Sequence, residues 1–305
     1  MRITQLFIFF LIVQSTSAQI YIPKFDVQGH RGCRGLKPEN SIPAFIAALD
    51  SGVTTIEMDV AITKDGQIIV SHEPWMSAAI CQNPTGKAFT AKQEMRYNIF
   101  QMTYDEVKRW DCGSKGNERF PEQEKISMHK PLLRDVILAV ENHVKNYTKY
   151  EVDYNIEIKS LPEGDGKFHP KPEEFSDIVY AMIDQYLPME RVVLQSFDFR
   201  ILKYLHKKYP EVRLAALVEN LKAIDENLKD LGFIPSIYSP DYKLLDKQEV
   251  KHCHELKMRV IPWTVNDPAE MIALKGMGVD GFITDYPDRA RKIRMTLALK
   301  PKDVK

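Results

Sequence analysis

Two spacings of apolar residues alternate along the chain: short β-branched runs and longer amphipathic stretches. The runs predict strands at 26–29, 55–61, 67–71, 154–158, 192–196, 213–218, 236–239, 259–265 and 281–284. Between many of them the spacing turns helical. Asn40 or Ser41 is placed to cap a helix running to Asp50, with Pro43 in its first turn and Gly52 just past its end. Thr103-Tyr104-Asp105-Glu106 reads as a capping box for a helix to Trp110. Leu133 to Val144 and Phe175 to Tyr186 carry helical apolar spacing. Repeated β–α alternation predicts an α/β fold with a parallel sheet covered by helices. Eight such units in about 250 residues suit a closed TIM (β/α)8 barrel. A doubly wound open sheet is the alternative, but no Gly-rich dinucleotide fingerprint follows any strand. Nine strands are one too many, so one is surplus or lies outside the barrel. The step from 61 to 67 is too short for a helix and predicts an irregular or hairpin-like unit. The rhythm breaks after the third strand. Residues 73–130 hold Asn83-Pro84, Asn117, Pro121 and two cysteines, and predict an insertion subdomain over one face of the barrel.

The first 18 residues stand apart. Arg2 precedes an eight-residue apolar run, Leu6 to Val13, and a small-residue exit ending at Ala18. This predicts a secretory leader over 1–18, and export to a periplasmic or extracellular space. Eight apolar residues fall short of the ~20 that a membrane span needs, so no stable membrane insertion is expected. The remaining residues, 19–305, form a single catalytic domain in this reading. Lys+Arg and Asp+Glu both number 42. No global field therefore favours nucleic acid, and any phosphate site must be a local cluster. Export permits a disulfide among Cys33, Cys81, Cys112 and Cys253, and Cys81 with Cys112 is the preferred of the possible pairs. The pattern leaves the oligomeric state open.

Four clusters carry candidate chemistry. Gly29-His30-Arg31-Gly32 closes the first strand, where barrel enzymes place functional groups. His moves protons near neutral pH, and the Arg fork matches phosphate oxygens. In Thr55-Ile56-Glu57-Met58-Asp59-Val60 the strand period puts Glu57 and Asp59 on one face. Two such carboxylates turned inward call for a cation, and all-oxygen ligation suits Ca²⁺ or Mg²⁺; an exposed amphipathic strand is the plainer reading. Asn155-Ile156-Glu157-Ile158-Lys159 aligns Glu157 and Lys159, either as a third ligand beside a phosphate-binding cation or as an internal ion pair. His72 ends an apolar strand, where a lone His is more often structural than catalytic.

The order of these motifs is more specific than any one of them. Gly-His-Arg-Gly, Pro38-Glu39-Asn40-Ser41, Glu57-x-Asp59, Thr63-Lys64-Asp65-Gly66, His72 and Glu157-x-Lys159 are followed by Gln195-Ser196-Phe197-Asp198, Trp263-Thr264-Val265-Asn266 and Gly281 to Pro287. From about Val27 to Pro287 the chain resembles the glycerophosphodiester phosphodiesterase family. The resemblance implies a TIM barrel and one divalent cation, Ca²⁺ or Mg²⁺, held by Glu57, Asp59 and Glu157. It implies His30 and His72 as the acid/base pair, Arg31 and Lys159 on the phosphate, and Trp263 near the glycerol. The expected reaction is hydrolysis of a small-molecule glycerophosphodiester to glycerol 3-phosphate and an alcohol. A related phospholipase of C or D type acting on intact lipid, and a non-catalytic phosphate-ester binding protein, are the competing readings. One departure stands out: the family usually has His-Asp where this chain has His72-Glu73, and sequence assigns Glu73 no role.

Overall fold

The computed structural model describes residues 25–297 apart from Ala88 and Lys149, so the leader read over 1–18 lies outside the described residues. The strands, in chain order, are β1 (Asp26–Gly29), β2 (Thr55–Ile62), β3 (Ile68–Val70), β4 (Asp153–Ile158), β5 (Val192–Ser196), β6 (Arg213–Val218), β7 (Ile237–Pro240), β8 (Arg259–Val260) and β9 (Gly281–Thr284). Eight of them run parallel in the order β8-β7-β6-β5-β4-β2-β1-β9. Backbone bonds from Asp280 N to Val260 O and from Ile283 N to Pro262 O, both 2.9 Å, join the two ends into a TIM barrel. The surplus strand is β3. It pairs antiparallel with β2 through a tight turn at 63–66, so the short third unit is a hairpin on the barrel rather than a stave of it.

The helices are α1 (Ile42–Asp50), α2 (Ala91–Glu94), α3 (Tyr104–Val107), α4 (Leu133–Tyr147), α5 (Pro172–Asp184), α6 (Phe199–Lys208), α7 (Ile224–Leu231), α8 (Lys247–Glu255), α9 (Pro268–Met277) and α10 (Pro287–Lys292). Ser41 is the cap of α1, its hydroxyl accepting from Ala44 N at 3.3 Å. Alternation along β2 sets the core. Ile56, Met58 and Val60 point outward and are fully buried with Phe45, Leu49 and Val140 in the layer between barrel and helices. The inward set is mixed. Val193, Ala215, Ile237, Ile261 and Ile283 pack on one side of the barrel interior. The other side is polar: Gln28 donates to Asp26, Asn155 to Gln28 and Gln195, and Gln195 to Glu57.

Two predicted elements end well short of their expected bounds. The strand read over 259–265 is regular only at Arg259–Val260, because Pro262 has no N–H to give a ladder. The helix read to Trp110 ends at Val107; its capping box forms, with Thr103 N donating to Glu106 at 2.8 Å, and Trp110 then turns inward against Phe89 and Tyr97. Between β3 and α4 the chain builds its own apolar cluster, including Met76, Ile80, Ile99, Val107 and Trp110, stapled by a Cys81–Cys112 disulfide. Cys33 and Cys253 are free and buried.

Candidate active site

The carboxyl ends of the strands deliver the site. Gly29 and Gly32 fit His30 and Arg31 to the turn after β1. A Cβ on Gly29 would lie 2.4 Å from Gly32 O, and one on Gly32, at φ +82°, would lie 2.5 Å from the Ala44 backbone. The Arg31 N–H thereby donates to Glu57 Oε2 at 2.8 Å. The β2–β4 register sets Asp59 opposite Glu157, so the alternation that turns Glu57 and Asp59 inward meets a third carboxylate. The β2–β3 hairpin returns the chain beside Asp59, where Ser71 N donates to Asp59 O at 2.9 Å, and the next residue is His72. His30, Arg31, Glu57, His72, Glu157, Lys159 and Trp263 all line one basin of about 530 Å³. Asp59 lies beneath them, its carboxylate within 4.8 Å of those of Glu57 and Glu157.

Each imidazole is oriented by an acid. His30 Nδ1 is 2.7 Å from Asp285 Oδ1, and Asp285 is held in turn by Arg34 Nε at 2.6 Å and Asn266 Nδ2 at 2.7 Å. His72 Nδ1 is 2.8 Å from Glu73 Oε1. With Nδ1–H donating to the acid, Nε2 of His30 is left for the basin, and Nε2 of His72 can accept from Lys159. Lys159 Nζ stands 2.9 Å from His72 Nε2 and 3.0 Å from Glu157 Oε1. Burial, reinforced by the Arg34 charge, lowers the His30 pKa to about 4 against the pull of Asp285. Burial works to raise Glu73, yet the hydrogen bond from His72 and the nearby Arg31 charge bring it down to about 2. Glu73 is thus a fixed anion behind its histidine.

The three carboxylates fit a cation. Burial and the Asp59 charge push Glu57 well above the usual carboxylate range, and burial pushes Glu157 up against the pull of Lys159. Asp59 is driven the other way: burial opposes its charge, but His72, Arg31 and Lys159 face it and Asn40 donates to it at 2.9 Å. Asp59 Oδ1 is buried without a hydrogen-bond partner. Three buried acids, one oxygen of which accepts no hydrogen bond and has Lys159 Nζ 3.7 Å away, are costly by themselves and suit a hard divalent ion. Arg31 is held among these acids: its Nη1 donates to Glu39 at 2.7 Å, and its buried Nε, without a hydrogen-bond partner, lies 3.4 Å from Asp59 Oδ2. Trp263 donates from Nε1 to Ser239 O at 2.8 Å and meets Phe197 edge to face, which fixes its ring in the basin wall.

Sequence reasoning gave Asp285, Glu73, Gln195, Asn40, Glu39, Arg34 and Asn266 no part in the site, and offered Asn40 only as a helix cap. A signal was available for several. Gln195 is the penultimate residue of β5, Asp285 follows β9 and Asn266 follows β8, all on the face where barrel loops carry function. Arg34 carries no such mark, because only the fold brings it to Asp285, 251 residues away.

A family model described as the glycerophosphoryl diester phosphodiesterase family matches residues 30–289. A glycerophosphodiester phosphodiesterase of Bacillus altitudinis is 31% identical over 269 residues, covering 87% of this chain and 96% of that protein. Among solved structures, a candidate glycerophosphoryl diester phosphodiesterase from Silicibacter pomeroyi matches with a TM-score of 0.78 at 27% identity, over 88% of this chain and 92% of that one. A phosphodiesterase of Oleispira antarctica, solved in complex with sn-glycerol-3-phosphate, shares the fold with a TM-score of 0.69 at 20% identity, over 88% and 95% of the two chains.

Proposed function

The chain belongs to the glycerophosphoryl diester phosphodiesterase family, and we propose that the basin at the barrel mouth is the site where it hydrolyses glycerophosphodiesters to glycerol 3-phosphate and an alcohol. The observation that carries this reading is the convergence of two carboxylate-oriented histidines on one three-carboxylate cluster.

Glu57, Asp59 and Glu157 would hold one divalent cation, Ca²⁺ or Mg²⁺, which supplies charge neutralisation at a phosphodiester oxygen when bound. The protein's own residues do the rest. Arg31 and Lys159 grip the phosphate and offset the charge that builds on its oxygens in the transition state. One of His30 and His72 takes a proton at Nε2 from the attacking oxygen, and the other gives a proton to the departing alcohol. Asp285 and Glu73 hold the two rings with Nε2 toward the substrate. Trp263 gives the substrate arm that enters the basin a rigid apolar wall.

The reading extends to compartment. The leader-like residues 1–18 and the Cys81–Cys112 disulfide both support an exported protein, periplasmic or extracellular. A direct check is choline release from glycerophosphocholine before and after chelation with EDTA. Release should stop on chelation and return when excess Ca²⁺ or Mg²⁺ is added. Undiminished release in EDTA would remove the cation from the account.

A further inference from the structure

Lys130 is a buried cation for which the reaction described above has no use. It ends the insertion and is only 6% exposed. Two backbone registers fix where it sits. Ser71 N donates to Asp59 O at 2.9 Å, which continues the β2–β3 pairing by one residue. Val70 N donates to Pro131 O at 2.9 Å, beside the antiparallel bridge of Ile69 with Leu132. Carried one residue further, this second register sets Lys130 opposite Ser71. Asp59, Ser71 and Lys130 therefore form one row across the hairpin and the chain that leads into α4. Side chains in one row share a face. That face is the one on which Asp59 turns toward the site, and His72 and Glu73 follow Ser71 directly.

The charges around Lys130 alternate. Arg31 Nη1 donates to Glu39 at 2.7 Å. Glu73 and Glu39 are the acids that act most strongly on Lys130, and Arg31 and Lys130 are the cations that act on Glu73 besides His72. Among the described residues Lys130 has no direct ion-pair partner. Burial lowers its pKa against the pull of both acids. An ammonium buried in this way is a cost to the fold. It does not line the basin, so it is no substrate contact there. What it contributes is charge. Glu39 is offset at close range by Arg31. Glu73 is offset by His72 only while that ring is protonated. When the imidazole is neutral, Glu73 faces the Glu39 anion, and Lys130 supplies the balancing charge.

Resting on the phosphodiesterase reading above, we propose that Lys130 is a positioning residue of this reaction: a buried cation, brought by the insertion, that keeps Glu73 an anion while His72 is neutral and so holds the His72 ring for proton transfer at Nε2.

Lys130→Met keeps the length of the side chain and removes its charge. In the full chain, with Ca²⁺ or Mg²⁺ present, it should lower kcat on glycerophosphocholine by roughly 10–100-fold at unchanged KM. Its Tm should stay at or above the wild-type value, because a buried charge has gone. Lys130→Arg should recover part of the lost kcat. In a Glu73→Gln background the Met substitution should add little further loss, since both changes act through one ring. Wild-type kcat in Lys130→Met, a rise in KM at constant kcat, or losses that multiply in the double variant overturn the proposal. So does a lowered Tm without recovery in Lys130→Arg, which makes the ammonium a structural group. If Lys130→Met does not fold, Lys130→Gln is read in its place. The phosphodiesterase reading fails separately, if glycerophosphocholine is inert to the wild type with cation present. NMR titration of the Glu73 carboxyl then decides Lys130 without turnover: it should move to higher pH in Lys130→Met, and an unmoved titration overturns the proposal.

Discussion

Glu73 and Asp285 do the same job from different places in the chain. Each carboxylate lies within 2.8 Å of the Nδ1 of one histidine, and each is held as an anion by neighbouring cationic or hydrogen-bonding groups. Where the resemblance leads one to expect an aspartate, this chain reaches His72 with the longer glutamate, and a closed 2.8 Å contact shows that the extra methylene is accommodated. Both acids act through a ring and not on the phosphate. Glu73→Gln and Asp285→Asn should therefore lower kcat by roughly 10–100-fold with little change in KM, the range typical of residues that orient a functional group. Steady-state kinetics on glycerophosphocholine check this, and Glu73→Asp should recover more activity than Glu73→Gln. A rise in KM at constant kcat would instead make these acids part of the binding surface.

At the level of elements, β2 was the most legible part of the site. Its two-residue period names Glu57 and Asp59 as neighbours on one face, and the register with β4 then fixes Glu157 against Asp59. Periodicity also located the strands, because parallel barrel staves are buried on both sides and read as apolar runs. Polar residues inside the barrel were illegible. The chain from Asp26 through Gln28, Asn155 and Gln195 to Glu57 joins four strands, and no local pattern announces such a contact. The insertion was legible as an interruption, but its internal order was not, because much of it is loop stabilised by its own apolar cluster and a disulfide. Cys81 and Cys112 are 31 residues apart. Replacing both by Ser should cost roughly 2–4 kcal/mol of stability, from restored loop entropy in the unfolded chain. Chemical denaturation reads the loss, and limited proteolysis should place the first new cuts between residues 73 and 130. Unchanged denaturation and cleavage would show that the apolar cluster alone holds the segment.

Across the whole molecule the barrel joins three carboxylates, two histidines and the cationic Arg31 and Lys159, which arrive from four separate strand ends. Crowding those acids is a cost the apo protein carries, so a cation that binds only the folded state should stabilise it. At a hundredfold excess over its Kd the gain is about 2.7 kcal/mol, visible as a rise in Tm on adding Ca²⁺ or Mg²⁺ to chelated protein. Glu57→Gln should abolish most of that rise. A Tm indifferent to cation in the wild type would contradict the assignment of the cluster. The central claim, however, concerns protons, and it is tested most directly by the turnover of glycerophosphocholine in His30→Ala and His72→Ala proteins whose melting matches the wild type. Each substitution should lower kcat/KM by about 10²–10⁴-fold. Near wild-type turnover in either protein would remove that histidine from the chemistry and, with it, the two-histidine account.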